Sequence, residues 1–121
     1  MPLTSASPQA SRIAAVFDFV PALARRHLAA RVGARATIQV VEAAGGVFTL
    51  VHQHRVSCGG ELVEHRIAQL RALPGDRYQL FFKRESGRWT AYCSATGEPF
   101  AGSIDECLAE IARDPLGCYW S

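Results

Sequence analysis

The sequence contains no apolar run approaching the roughly 20 residues that a membrane-spanning helix needs, which removes a helical span from consideration. Nor does it contain a C-x-x-C pair. Its four cysteines, Cys58, Cys93, Cys107 and Cys118, are scattered, so neither a zinc-ribbon nor a thioredoxin-like spacing is present. A strong charge of one sign is missing as well. Thirteen Lys and Arg against eleven Asp and Glu leave a net charge of +2, a field too weak to call for nucleic acid or an anionic membrane as partner. Lysine is nearly absent, Lys83 being the single one beside twelve arginines. The opening residues Met1 to Ala10 place no basic segment ahead of an apolar core, as an export signal would. A cytoplasmic chain with free thiols is therefore expected.

What is present is an ordinary globular composition, 49% apolar and 20% charged over 121 residues. One domain over 11–121 is expected, behind a disordered lead at 1–10 that Pro2 and Pro8 interrupt. From Ser11, the residues Ile13, Val16, Phe17, Val20, Leu23, Ala24 and Leu28 recur at helical spacing. Pro21 falls inside that stripe. The spacing predicts a helix that restarts at an Asp18 cap, which would put Pro21 in the first turn, and that ends at Gly33.

The period then changes. Thr37–Glu42, Val47–Val56, Leu62–Leu73, Tyr78–Arg84 and Arg88–Cys93 are rich in β-branched and aromatic residues and read as five strands. Their separators, Ala44-Gly45-Gly46, Cys58-Gly59-Gly60, Pro74-Gly75-Asp76 and Glu85-Ser86-Gly87, are turn chemistry. Connections this short cannot make a parallel crossover, so the strands must form an antiparallel meander. Ser103 and Glu106 then spell a capping box, and Ile104, Cys107, Leu108 and Ile111 make one apolar stripe of a helix that stops before Pro115. The predicted class is α+β, a five-stranded antiparallel meander sheet with the N-terminal helical region and the C-terminal helix packed on one face.

Two stretches carry a resemblance. The run Tyr78 to Tyr92, with Trp89 three residues ahead of Tyr92, is followed by a helix and by Asp114-Pro115-Leu116-Gly117-Cys118-Tyr119-Trp120. This C-terminal half resembles the bacterial domain of unknown function 3024, whose chains close on D-P-x-G-x-aromatic-W-G. Here Ser121 stands where the final glycine would be, and Tyr78 where that family often has tryptophan. The resemblance implies a bacterial protein and supplies no activity, cofactor or catalytic residue.

No spacing in the chain spells out a reaction, so a binding or assembly module is expected rather than an enzyme, with no cofactor and no catalytic residue assigned. His52 and His54 are two apart on a strand and share a face. With Cys58 and His65 they form the alternative, a metal site or small enzyme, against the plain reading of an exposed strand end. Cys58, beside two glycines in a turn, is the thiol expected to react, whereas Cys107 lies on an apolar stripe and reads as core. The basic residues Lys83, Arg84 and Arg88 flank a turn beside Trp89. They would bind nucleic acid only if the sheet left Phe81 and Trp89 on an uncovered face. Arg25, Arg26, Arg31 and Arg35 crowd the end of the first helix, where cations favour the dipole. Strands two and four are apolar on both faces, Phe48 and Leu50 against Val47 and Val51, Leu80 and Phe82 against Phe81. A second copy of the chain is the expected cover, making a homodimer. Tyr119 and Trp120 are expected to fold back onto the domain, the alternative being that Trp120 is displayed to a partner.

Overall fold

The computed structural model describes residues 8–33, 36–56 and 59–120, with side chains from Phe19 onward. Helix α1 (Pro8–Val32) leads into β1 (Ala36–Ala43), β2 (Val47–Arg55), β3 (Leu62–Leu73), β4 (Arg77–Lys83), β5 (Trp89–Ala91), β6 (Ala101–Gly102) and helix α2 (Ile104–Arg113). The first five strands are neighbours in chain order and every pair is antiparallel, as the four short Gly-bearing connections require. The α+β meander is thus the fold of this chain.

Three features depart from the sequence reading. The N-terminal helix does not restart at Asp18; it runs unbroken through Pro21. Proline there removes one amide donor, at a cost of about 3 kcal/mol in a free helix. The helix persists because Val20, Leu23, Ala24 and Leu28 are buried on either side of the proline, so tertiary packing outweighs the local penalty. Its first turn begins at Pro8, within the stretch read as a lead; residues 1–7 lie outside the described residues. The third departure is β6. After Tyr92 the chain makes one more tight return, bridged at Cys93 and Pro99, and lays Ala101 and Gly102 along Gln79 and Tyr78 of β4. Two residues carry no periodicity, so nothing local marked them as a strand.

Both helices cover one face of the sheet. The core between them holds Leu28, Ile38, Phe48, Leu50, Leu70, Leu80, Tyr92, Leu108 and Ile111, all nearly inaccessible. Polar contacts align the helices. Arg31 donates from Nε to the carbonyl of Ala112 at 2.7 Å and from Nη2 to that of Arg113 at 2.9 Å, capping the last turn of α2 rather than serving its own helix. His27 Nε2 and Asp105 Oδ1 stand 2.9 Å apart across the same seam. Helix α2 starts on the capping box as expected: Glu106 N donates to Ser103 Oγ at 3.1 Å, and Ser103 N to Glu106 Oε1 at 2.8 Å. The returning Glu106 side chain passes over Gly102, where a Cβ would sit 2.8 Å from Oε1, so a larger residue would push the capping carboxylate aside.

The tail reverses on one carboxylate. Asp114 takes a left-handed conformation at φ 45°, ψ 56° and ends α2. Its Oδ1 accepts from the amides of Cys118 at 2.7 Å and Tyr119 at 3.2 Å, and its Oδ2 from that of Trp120 at 3.0 Å. Tyr119 is thereby buried against Tyr92, and Trp120 donates from Nε1 to the Ile111 carbonyl at 2.9 Å. The expected fold-back is what the structure has, so Trp120 is a packed residue.

Bonds to a charged acceptor contribute about 1.5–3 kcal/mol each but not additively, so Asp114→Ala should cost roughly 2–4 kcal/mol. Asp114→Asn, which keeps an acceptor oxygen, should cost less. Removing residues 119–121 should also lower Tm by several degrees. Thermal melts of the three variants check this ordering; equal Tm for Asp114→Ala and the parent chain would contradict it.

Candidate functional site

Residues on the face of the sheet away from the helices follow from the strand registers. Thr37, Gln39, Val41 and Ala43 of β1 stand beside Val51, Thr49 and Val47 of β2; next come Arg66, Gln69 and Arg71 of β3, then Gln79, Phe81 and Lys83 of β4 and Trp89 of β5. No described helix covers this outer face. It nevertheless is not a bare apolar surface, as the sequence suggested it would be. The Arg71 guanidinium lies over the Phe81 ring at 3.8 Å and donates from Nε to Gln69 Oε1 at 2.8 Å. Gln69 in turn donates from Nε2 to Thr49 Oγ1 at 3.2 Å. Long polar side chains thus lie along the sheet and roof it, and Val51 is only 3% exposed beneath them.

Lys83 and Trp89 are register partners, with the ammonium 6.0 Å from the indole centroid. Arg84 and Arg88 close the adjoining turn, the Arg84 amide donating to the Arg88 carbonyl at 2.9 Å and Arg84 Nε to Thr90 Oγ1 at 3.1 Å. Of the sequence candidates, Arg84, which bonds to Thr90 and lines a hollow with Phe82, Gly117 and Cys118, lies on the helix side with Arg88 opposite it in the turn. Lys83 and Trp89 form one neighbourhood on the outer face. Trp120 is not part of it, being packed on the helix side. Beyond the last β3–β4 pair, Val51, Glu64, His65, Arg66 and Lys83 line an open hollow of about 390 Å³. Arg66 and Arg71 escaped sequence reasoning. Alternation along β3 places Gln69 and Arg71 together, but Arg66 joins them only because the β2–β3 register slips between Leu50 and Val51, leaving Ile67 unpaired.

The same slip brings His65 opposite His52, on the helix side of the sheet. The ring centroids of His52 and His54 are 5.4 Å apart, those of His54 and His65 5.6 Å with the planes stacked at 16°. Trp120 meets His52 edge to face at 5.9 Å. Burial, with the neighbouring His54 and His65 adding to it, holds the His52 pKa below the usual histidine value. Among the described residues no three His, Cys, Asp or Glu side chains stand in position to hold a metal together, and Cys58 lies outside the described residues.

Of the remaining thiols, one is enclosed in the core. Cys93, Cys107 and Cys118 are free, and Cys107 is fully buried with its Sγ directed at the Tyr78 carbonyl at 3.5 Å. Burial pushes the Cys107 thiol up to about 12 from 9.0. A group that holds its proton more tightly when folded adds stability below its unfolded pKa and loses it as pH rises through the folded value. Stability should therefore decline between pH 9 and 12, less steeply in Cys107→Ala, and Cys107 should resist thiol reagents at neutral pH. Urea melts across that range, with mass mapping of labelled thiols, check both outcomes.

No curated protein and no solved structure matches the chain. No described helix is long and apolar enough to cross a membrane. The family model for DUF3024, a domain of unknown function, matches residues 7–121, taking in α1 and the whole sheet as well as the C-terminal stretch whose motifs first suggested it. The chain belongs to the DUF3024 family.

Proposed function

We propose that this protein is a binding module that holds a single-stranded nucleic acid on the outer face of its sheet. The observation that carries the reading is the pairing of cations with aromatic rings on a face left open, Arg71 over Phe81 and Lys83 over Trp89. Single strands are held by such surfaces, because aromatic rings stack on bases while lysine and arginine track the phosphates. Arg66 adds a third cation beside the hollow. Glu64, the one acidic residue lining the hollow, is engaged by Gln53 Nε2 at 3.1 Å.

The competing occupant is a second copy, giving a homodimer. A two-fold interface through this face would bring two surfaces carrying Arg66, Arg71 and Lys83 together, and surfaces of like charge oppose association. An anionic partner meets no such opposition.

Fluorescence anisotropy with a labelled oligo-dT at low salt should show saturable binding that weakens with salt. Engaging three phosphates gives a slope of about −2 in log K against log salt. Trp89→Ala should lose about 1–3 kcal/mol, and the Arg71→Ala, Lys83→Ala pair should flatten the slope. Absence of binding, or binding indifferent to these variants, would overturn the reading. Sedimentation equilibrium showing a species of twice 13.2 kDa that the same variants dissociate would assign the face to a homodimer instead.

A further inference from the structure

The outermost strand of the sheet, β1, pairs only with β2 among the described residues. Alternate residues along it therefore direct an amide and a carbonyl away from the domain, where a further strand could bond them. Soluble chains blunt such edges by shortening them, or with proline, lysine or a bulge. The opposite end of the sheet follows that rule, with three residues in β5 and two in β6. The β1 edge does not. It has eight residues, contains neither proline nor lysine, and pairs with β2 without a register shift. Val41 stands 56% exposed along it.

What suits this edge is indicated by two unpaired charges. Glu42 is the one charged residue of β1, and alternation places it on the helix side with Ile38 and Val40 of the core. Beside the other end of the strand, Arg25, Ala29 and Val32 of α1 meet Ala36, Thr37 and Ile38 around a hollow of about 220 Å³. No ion pair engages Glu42 or Arg25 among the described residues. Opposed residues in an antiparallel pair face the same side of the sheet, so a strand that pairs with its own copy must be centred on a residue. With the centre at Gln39, Glu42 of one copy stands opposite Ala36 of the other. The small Ala36 side chain leaves the carboxylate a path to Arg25 at the hollow. Two such Arg25–Glu42 pairs close the seam at its ends, about 20 Å apart, so the two arginines do not meet.

We infer that two copies of this chain associate edge to edge through β1, pairing 36–42 with its own equivalent about a two-fold axis at Gln39, so that one sheet runs through both. The interface is isologous, and each copy supplies both charges that the other requires. Because the axis is perpendicular to the sheet, the two outer faces lie on the same side and stay open. The dimer is independent of what those faces bind.

Sedimentation equilibrium at micromolar concentration should show a species of twice 13.2 kDa. Gln39→Lys, at an exposed position that meets its own equivalent on the axis, should weaken association at least about tenfold without altering the circular dichroism of the fold. Glu42→Arg and Arg25→Glu should each weaken association, and the two together in one chain should restore it. Arg71→Ala with Lys83→Ala, on the outer face, should leave it unchanged. A monomer at every concentration would overturn the inference, and so would a dimer indifferent to Gln39→Lys. Charge reversals that the double variant fails to rescue would do the same, as would a dimer that the outer-face pair dissociates. Oligonucleotide binding does not enter these measurements, so the edge dimer and the nucleic-acid reading fail independently.

Discussion

The arrangement of this molecule's surfaces depends on a single unpaired residue. In β3 the pairing with β2 steps from Ala68 opposite Leu50 to Arg66 opposite Val51, leaving Ile67 over. Because side chains alternate with period two, one extra residue turns every following position to the other side of the sheet. Arg66 is thereby sent to the outer face, beside Lys83, and His65 to the inner face, beside His52. Without the slip Arg66 would point toward the helices and His65 away from them. The company that Arg66 and His65 keep on the two faces follows from that change of phase.

The two sides of the sheet solve the problem of cover differently. The inner side uses α1, α2 and the tail, and the tail is held by one carboxylate that collects three backbone amides. The outer side uses long polar side chains laid along the strands, with Arg71 over Phe81 and Gln69 tied to Thr49. Guanidinium over an aromatic ring shields apolar area while leaving charge available to solvent. An apolar second face had pointed to self-association on composition alone. The placement of the arginines changes that argument, because composition says which residues lie in a strand and not what lies above them.

Continuity of α1 through Pro21 shows the same limit. The local rule that proline begins a helix is sound for an isolated segment, yet Leu23, Ala24 and Leu28 gain burial against the sheet and α2 only if the axis continues. Arg31 is a second instance. Its position suggested a partner in its own helix, whereas its guanidinium closes the carbonyls of α2, some eighty residues away in the chain.

The sequence by itself determined the α+β class, the order and antiparallel sense of five strands, the start of α2 at Ser103 and its end at Asp114. It also determined the burial of Cys107 and the reversal that docks Tyr119 and Trp120. Each of these is written in neighbouring residues: turn glycines, a capping box, an apolar stripe, an aspartate ahead of proline and glycine. Tertiary structure alone decided the phase slip at Ile67, the two-residue β6, the passage of α1 through Pro21 and the stacking of Arg71 on Phe81. Those depend on energies of contact between residues far apart in the chain, which no local pattern records. The chemistry-bearing side chains were visible in the sequence one at a time, but which of them share a face was settled by how β2 and β3 pair.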